Sequence, residues 1–150
     1  MFSKTIEYAL RAVVYLAVNS DEERKVNISE LSEAIDSPKS FTAKVLQSLT
    51  RDNVLISSHT GPTGGFYLTE AAKQKSVWHV LQLLEADDVV SGCILGLRGC
   101  SEKNPCPLHH DYARIRPQLQ TMFQSKTIRD LAREMDNPKV VIGNARRKRG

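Results

Sequence analysis

The sequence predicts a mainly α-helical fold that carries one small β-hairpin and ends in a long helix. Three observations predict it. Apolar residues recur at helical spacing through most of the 150 residues. A glycine- and proline-rich turn, HTGPTGG, is flanked by two short strand signals, VLIS and FYLT. All three cysteines fall in one loop, CILGLRGCSEKNPCPLH, directly before a helical stretch.

The elements follow in order. SKTIEYALRAVVYLAVN is an amphipathic helix with Ile6, Leu10, Val13, Val14 and Ala17 on one face and Ser3 or Thr5 as cap. NISELSEAI is a shorter helix, capped by Asn27 or Ser29, with Ile28, Leu31 and Ile35 inward. In DSPKSFTAKVLQSLTRDN, Ser37 suits the N-cap and Pro38 the first helical position, and Phe41, Val45, Leu46 and Leu49 face the core. The opposite face offers Lys39, Ser40, Thr42, Lys44 and Gln47, a set of hydroxyls, an amide and cations without an acid. Such a face can read base edges and touch phosphates, and it can also be an ordinary solvated face. In the hairpin, Gly64 and Gly65 can supply positive φ. Helix, turn, helix and hairpin in this order make a winged helix-turn-helix, with the second helix of the pair as the reader.

Ser76 caps SVWHVLQLLEAD, whose stripe is Val77, Val80, Leu81 and Leu84, with Trp78 as a large anchor and His79 packed or half-exposed. After the cysteine loop, HDYARIRPQLQTMFQSK is a long helix with Tyr112, Ile115, Leu119, Met122 and Phe123 on its apolar side. Pro117 should kink it or mark its start. Thr127 caps a last short helix, IRDLAREM. The domain plan is therefore 1–85 for the winged helix-turn-helix, 86–110 for the cysteine loop, 111–137 for the long helix and its short successor, and 138–150 for a flexible basic tail.

Composition limits the function classes. Hydrophobic residues make up 41% and charged residues 25%, an ordinary globular balance. The net charge of +4 equals that of the run Arg146–Arg149, so the basicity belongs to the tail, which can hold phosphates or stay solvated. No apolar run could span a bilayer, and the start does not resemble a signal peptide, which together point to the cytoplasm. A structural disulfide is then not expected, and the odd cysteine count agrees. No nucleophile–base pair, phosphate loop or hydrolase motif is present, so an enzyme is not expected.

The chain resembles the small bacterial winged-helix regulators that include IscR, NsrR and CymR. The likeness runs from about Lys4 to Leu131 and rests on YALRAVVYLA, FTAKVLQSL, LISSHTGPTGGFYL, the cysteine triplet before a long helix, and TIRDL after it. It implies a homodimer built on the long helix, an imperfect palindromic double-stranded DNA operator, and no membrane. The reading residues it implies are Lys39, Ser40, Thr42, Lys44, Gln47 and Arg51, with His59, Thr60 and Thr63 on the wing. Thr60 stands where many members carry arginine, and one extra residue lies near Arg51 to Val54.

Members with the triplet are iron–sulfur sensors. The resemblance implies Cys93, Cys100 and Cys106 as ligands, spaced C-x6-C-x5-C, one residue longer in the first gap than in IscR-like members. The fourth ligand is His109, three residues after Cys106, or else Glu7 from the partner subunit. A 2Fe–2S cluster is the leading cofactor, with 4Fe–4S or zinc as alternatives. Three cysteines and a histidine also make a structural zinc set, although gaps of six and five fit zinc spacing poorly. A metal-free thiol loop is the remaining reading. Occupation of the loop should set how the two reading heads are spaced, or the metal is structural or carried and does not regulate DNA binding.

Overall fold

The computed structural model describes residues 2–143. Seven helices and one hairpin appear among them: α1 Lys4–Asn19, α2 Ile28–Ala34, α3 Lys39–Leu49, β1 Ser57–His59, β2 Gly65–Tyr67, α4 Glu70–Lys73, α5 Val77–Leu83, α6 His109–Ser125 and α7 Ile128–Glu134. A 3-10 turn, Asp87–Val90, joins α5 to the cysteine loop. No helix among the described residues is long and apolar enough to cross a membrane.

The main core forms where α1, α2 and α3 meet. Ala9, Ala12, Val13 and Leu16 from α1 pack with Leu31, Ile35, Val45, Leu46 and Leu49, all nearly or fully buried. Small residues at Ala9 and Ala12 let neighbouring helices approach α1 closely. Ile128 of α7 enters the same core, and α7 packs along α1. Thr127 caps α7 in a reciprocal capping box with Asp130. Two backbone bonds, Val77 N to Lys126 O and Ile128 N to Lys75 O (each 2.9 Å), staple the start of α5 to the start of α7. A second cluster of Ile6, Val77, Leu81, Val90 and Phe123 sits under the long helix.

Several local expectations are corrected. Ser3 and Asn27, not Thr5 or Ser29, accept the capping bonds of α1 and α2. Pro38 itself holds the cap position of α3, with extended backbone, and Ser37 Oγ instead contacts Thr42 Oγ1 at 2.5 Å. Leu55 and Ile56 are wholly buried core residues that precede the wing strand, so β1 begins later than the apolar run suggested. Positive φ in the wing falls on Gly61 and Gly65, not on Gly64. Gly64 is required for a different reason: a side chain there would collide with the His59 carbonyl. Gly65 is doubly constrained, because a Cβ would lie 2.6 Å from the Val26 carbonyl oxygen. Val26 and Phe66 exchange backbone bonds of 2.8 and 2.9 Å and tie the wing to the segment before α2.

The expected apolar stripe of α6 divides in two. Tyr112 and Phe123 are buried, while Ile115 and Met122 are about half exposed. Helix α6 starts at His109, so that residue belongs to the helix rather than to the loop, and the helix continues through Pro117. Past α7, Val140 N donates to Asn137 O (2.9 Å) and Gly143 lies against the Ala34 carbonyl, so the tail does not leave the body at Pro138. Arg146–Arg149 lie outside the described residues.

Ser20 is a test of how the wing is anchored. It is buried, its hydroxyl donates to Leu16 O (2.6 Å), and the same oxygen accepts from Leu68 N (3.1 Å). Ser20→Ala strands the Leu68 amide without a partner and should lower unfolding free energy by about 1–3 kcal/mol in urea titrations.

Candidate sensor loop and nucleic-acid face

The cysteine loop is held from outside by α6. The Tyr112 hydroxyl donates to the Val89 carbonyl, and Arg116 Nη1 donates to Ser91 O (2.8 Å) and Gly92 O (3.3 Å). The Arg116 guanidinium also stacks over the Tyr112 ring, 5.6 Å from its centre. These contacts pin residues 89–92 immediately before Cys93. Gly92 N closes on Asp88 O at 2.6 Å, and Gly96 N on Cys93 O at 2.9 Å, so the chain turns sharply on both sides of the first cysteine. A second turn, closed by Ser101 N to Asn104 O and Asn104 N to Ser101 O (3.2 and 3.1 Å), brings Cys106 back beside Cys100.

Three half-buried thiols result, and all are free. Their sulfurs lie within 4.8 Å of one another, with 3.6 Å between Cys93 and Cys106. The Cys106 amide donates to Cys100 Sγ at 3.4 Å. His109 Nδ1 lies 3.2 Å from the same sulfur, and His109 Nε2 lies 2.9 Å from Glu102 Oε1. The His110 ring stands edge-on to His109 and is mostly exposed. The start of α6 faces this group, and a helix N-terminus favours thiolate or other negative charge.

Electrostatics separates the thiols. Backbone donors at Leu97 and Leu95 and neighbouring sulfurs outweigh burial and bring the Cys93 thiol down to about 7. At Cys100 the Cys106 amide works to lower the value, but burial and the Cys93 and Cys106 sulfurs prevail and leave it raised. The His109 hydrogen bond holds the Glu102 carboxyl below its ordinary range. Soft sulfur donors and an imidazole at these separations fit an iron–sulfur cluster or a soft metal ion. A polar cavity of about 780 Å³ opens beside Cys93 and Cys100, walled partly by the α1 cap Ser3, by Thr5 of α1 and by Arg98. Glu7 of the same chain is paired with Lys4 (3.0 Å) and does not line it.

Lys39, Ser40, Lys44 and Gln47 are exposed along α3, and Arg51 continues the stripe while contacting Glu85 at 3.7 Å. His59, Thr60 and Thr63 are exposed on the wing. Thr42 is corrected: it is wholly buried, and its hydroxyl donates to Pro38 O (2.9 Å), so it shapes the start of α3 and offers nothing to a ligand.

One connection was not foreseen. His79 Nε2 of α5 meets Asp52 Oδ2 at 2.8 Å, and Asp52 Oδ1 accepts from Val54 N (3.0 Å) and Leu55 N (3.1 Å). Burial works to raise the Asp52 carboxyl, but these amides and His79 outweigh it and hold it low. With Arg51–Glu85, this contact joins α5, which leads into the loop, to the end of α3. Sequence spacing carries no trace of it, because the partners are 27 residues apart.

Residues 2–134 match the Rrf2 family, described as an iron-dependent transcriptional regulator. A protein of Aquifex aeolicus described as an HTH-type transcriptional regulator is 36% identical over 133 residues, which span 87% of this chain and 90% of that one. Among solved structures, CymR (YrzC), the global cysteine regulator of B. subtilis, superposes with a TM-score of 0.68 at 19% identity, over 89% of this chain and 97% of that one. IscR of T. potens gives 0.68 at 16% identity, over 94% and 92%. Both structures share the fold.

Thiol order is measurable. In metal-free protein, iodoacetamide should modify Cys93 ahead of Cys100 at neutral pH, and the Cys93 rate should rise with pH through a midpoint at about 7, where half of the thiol is ionised, and level off only well above it. Site-resolved mass spectrometry checks both; equal rates for the two residues would contradict the assigned difference.

Proposed function

Because the chain belongs to the Rrf2 family of iron-dependent transcriptional regulators, we propose that it is a dimeric, DNA-binding regulator whose cysteine loop holds an iron–sulfur cluster and relays the state of that cluster to the reading helices. The observation that carries the reading is the gathering of three free thiols within 4.8 Å, with the His109 imidazole 3.2 Å from one of them. Cys93, Cys100, Cys106 and His109 are the proposed ligands, and a 2Fe–2S centre suits three thiolates and one nitrogen. The cluster would supply an oxidisable centre with one exchangeable ligand. His109 is favoured as the fourth donor because its Nδ1 already lies 3.2 Å from Cys100 Sγ.

The chain's own residues supply the relay. Tyr112 and Arg116 bind residues 89–92 to α6, so the ordering of the loop bears directly on that helix. Ile115 and Met122 are exposed on α6 seven residues apart, and Leu108 continues their line from the helix cap. That spacing fills one position of successive heptads and suits a second copy of the chain. A two-fold pair of heads then meets an imperfect palindrome, with Lys39, Ser40, Lys44 and Gln47 in the groove and His59, Thr60 and Thr63 along the backbone. Helix α5 carries a change in the loop to the end of α3 through His79–Asp52 and Arg51–Glu85. Only a difference in contacts between two states of the loop can shift DNA affinity.

The deciding experiment pairs iron and sulfide assays on anaerobically prepared protein with mobility shifts of the promoter region of its own gene. Cluster-bearing and stripped protein should differ in affinity. Equal affinity in the two states, or zinc in place of iron and sulfide, would favour a structural or carried metal instead. Cys100→Ala should abolish the visible iron–sulfur absorption of anaerobic protein. Lys44→Ala should weaken binding to every duplex and lower the slope of log K against log salt by about 0.9, the signature of one lost phosphate contact. Gln47→Ala should instead change the ranking among operator variants.

A further inference from the structure

We propose that Glu102 is a positioning residue: its carboxylate accepts a hydrogen bond from the Nε2–H of His109 and so presents an unprotonated Nδ1 to the thiols as the fourth donor. The proposal rests on the reading of the loop as a cluster site and decides which nitrogen serves there.

The geometry is specific. A neutral imidazole carries one proton, and here two neighbours compete to define its place. On one side Glu102 Oε1 lies 2.9 Å from Nε2; on the other Cys100 Sγ lies 3.2 Å from Nδ1. An ionised carboxylate can only accept, so Nε2 must donate, and the lone pair is left on Nδ1, facing sulfur. The His109 side chain is only 11% exposed, whereas that of Glu102 is 77% exposed, so the carboxylate reaches inward from the surface to a ring that is otherwise enclosed. Glu102 is held in place by the turn around it. Ser101 and Asn104 exchange backbone bonds, and Asn104 N also donates to Ser101 Oγ (3.2 Å). Its second oxygen stands 4.0 Å from His110 Nδ1, too far for a hydrogen bond, so His110 is not the residue it serves. Carboxylate partners of ligating histidines fix the ring tautomer and raise its basicity, and their loss typically weakens metal binding ten- to a hundredfold.

The test compares full-length wild type, Glu102→Ala, Glu102→Gln and His110→Ala. Imidazole nitrogen shifts of the labelled metal-free protein report the His109 tautomer. The lifetime of the reconstituted cluster under a fixed excess of iron chelator reports its hold. Wild type should show His109 protonated on Nε2. Glu102→Ala should lose that preference and shorten cluster lifetime by about tenfold or more, while its metal-free melting temperature stays at the wild-type value. Glu102→Gln, whose side-chain oxygen still accepts, should restore most of both, and His110→Ala should change neither. A Glu102→Ala protein with wild-type tautomer and lifetime overturns the proposal, as does a His110→Ala protein that reproduces the loss. Wild type that takes up no iron or sulfide at all overturns the cluster reading, before any variant is compared, and the proposal falls with it.

Discussion

Crowding of three thiols at one end of α6 is the constraint around which the rest of the molecule is arranged. Sulfurs held within 4.8 Å of one another cannot all ionise cheaply, because each thiolate raises the cost of the next. Backbone donors at Leu97 and Leu95 favour the thiolate at Cys93, while at Cys100 the Cys106 amide is outweighed by burial and the neighbouring sulfurs, which keep the thiol raised. A bound cation or cluster removes the conflict, since thiolates deprotonate on coordination. A loop rich in glycine and proline has no core of its own to keep the thiols together. The work falls to α6, through the Tyr112 hydroxyl and the Arg116 guanidinium, both directed at backbone carbonyls before Cys93. Loop geometry is thereby slaved to a helix whose other apolar side is open.

The helix-turn-helix part is joined to the loop side of the molecule by apolar packing around α5 and by a few polar contacts. Its core is a continuous apolar cluster across α1, α2, α3 and α7, with Leu16, Leu31, Leu46 and Leu49 nearly or wholly buried. Between that core and the loop lies α5, which packs on α1, α3 and α6. Polar contact between α5 and the end of α3 is concentrated in His79–Asp52, with Arg51–Glu85 beside it at the surface. An exposed pair such as Arg51–Glu85 adds little stability, so its interest lies in where it sits. Apolar packing runs through the same joint, where Ile6 of α1, Val77 and Leu81 of α5, Val90 of the 3-10 turn and Phe123 of α6 form one cluster.

Much of this was legible in the sequence because it depends on local chemistry. Caps at Asn27, Ser76 and Thr127 and helical stripes in α1 and α3 each act over a few residues, and each is found where spacing placed it. Errors cluster where a distant partner overrides the local preference. Ser37 loses the cap of α3 because Thr42 turns inward to bind Pro38. Gly64 is needed for room beside His59 rather than for its φ. The single stripe drawn on α6 is two stripes, since α5 and the 3-10 turn cover Tyr112 and Phe123 but leave Ile115 and Met122 open.

For the site itself, sequence alone determined the donor types and their order along the chain: three soft thiols in one loop and an imidazole three residues after the last. Spacing of six and five could not say that the sulfurs meet, because a loop of that length has many closures. Tertiary structure decided it, by fastening residues 89–92 to α6 and closing a turn at Ser101–Asn104. The same closure set the His109 ring between Cys100 and Glu102, while the packing of α5 against α3 brought Asp52 to His79. The Asp52–His79 pairing is a long-range consequence of packing, whereas Cys100, Glu102 and His109 are neighbours in one loop that meet because that loop closes on the start of α6.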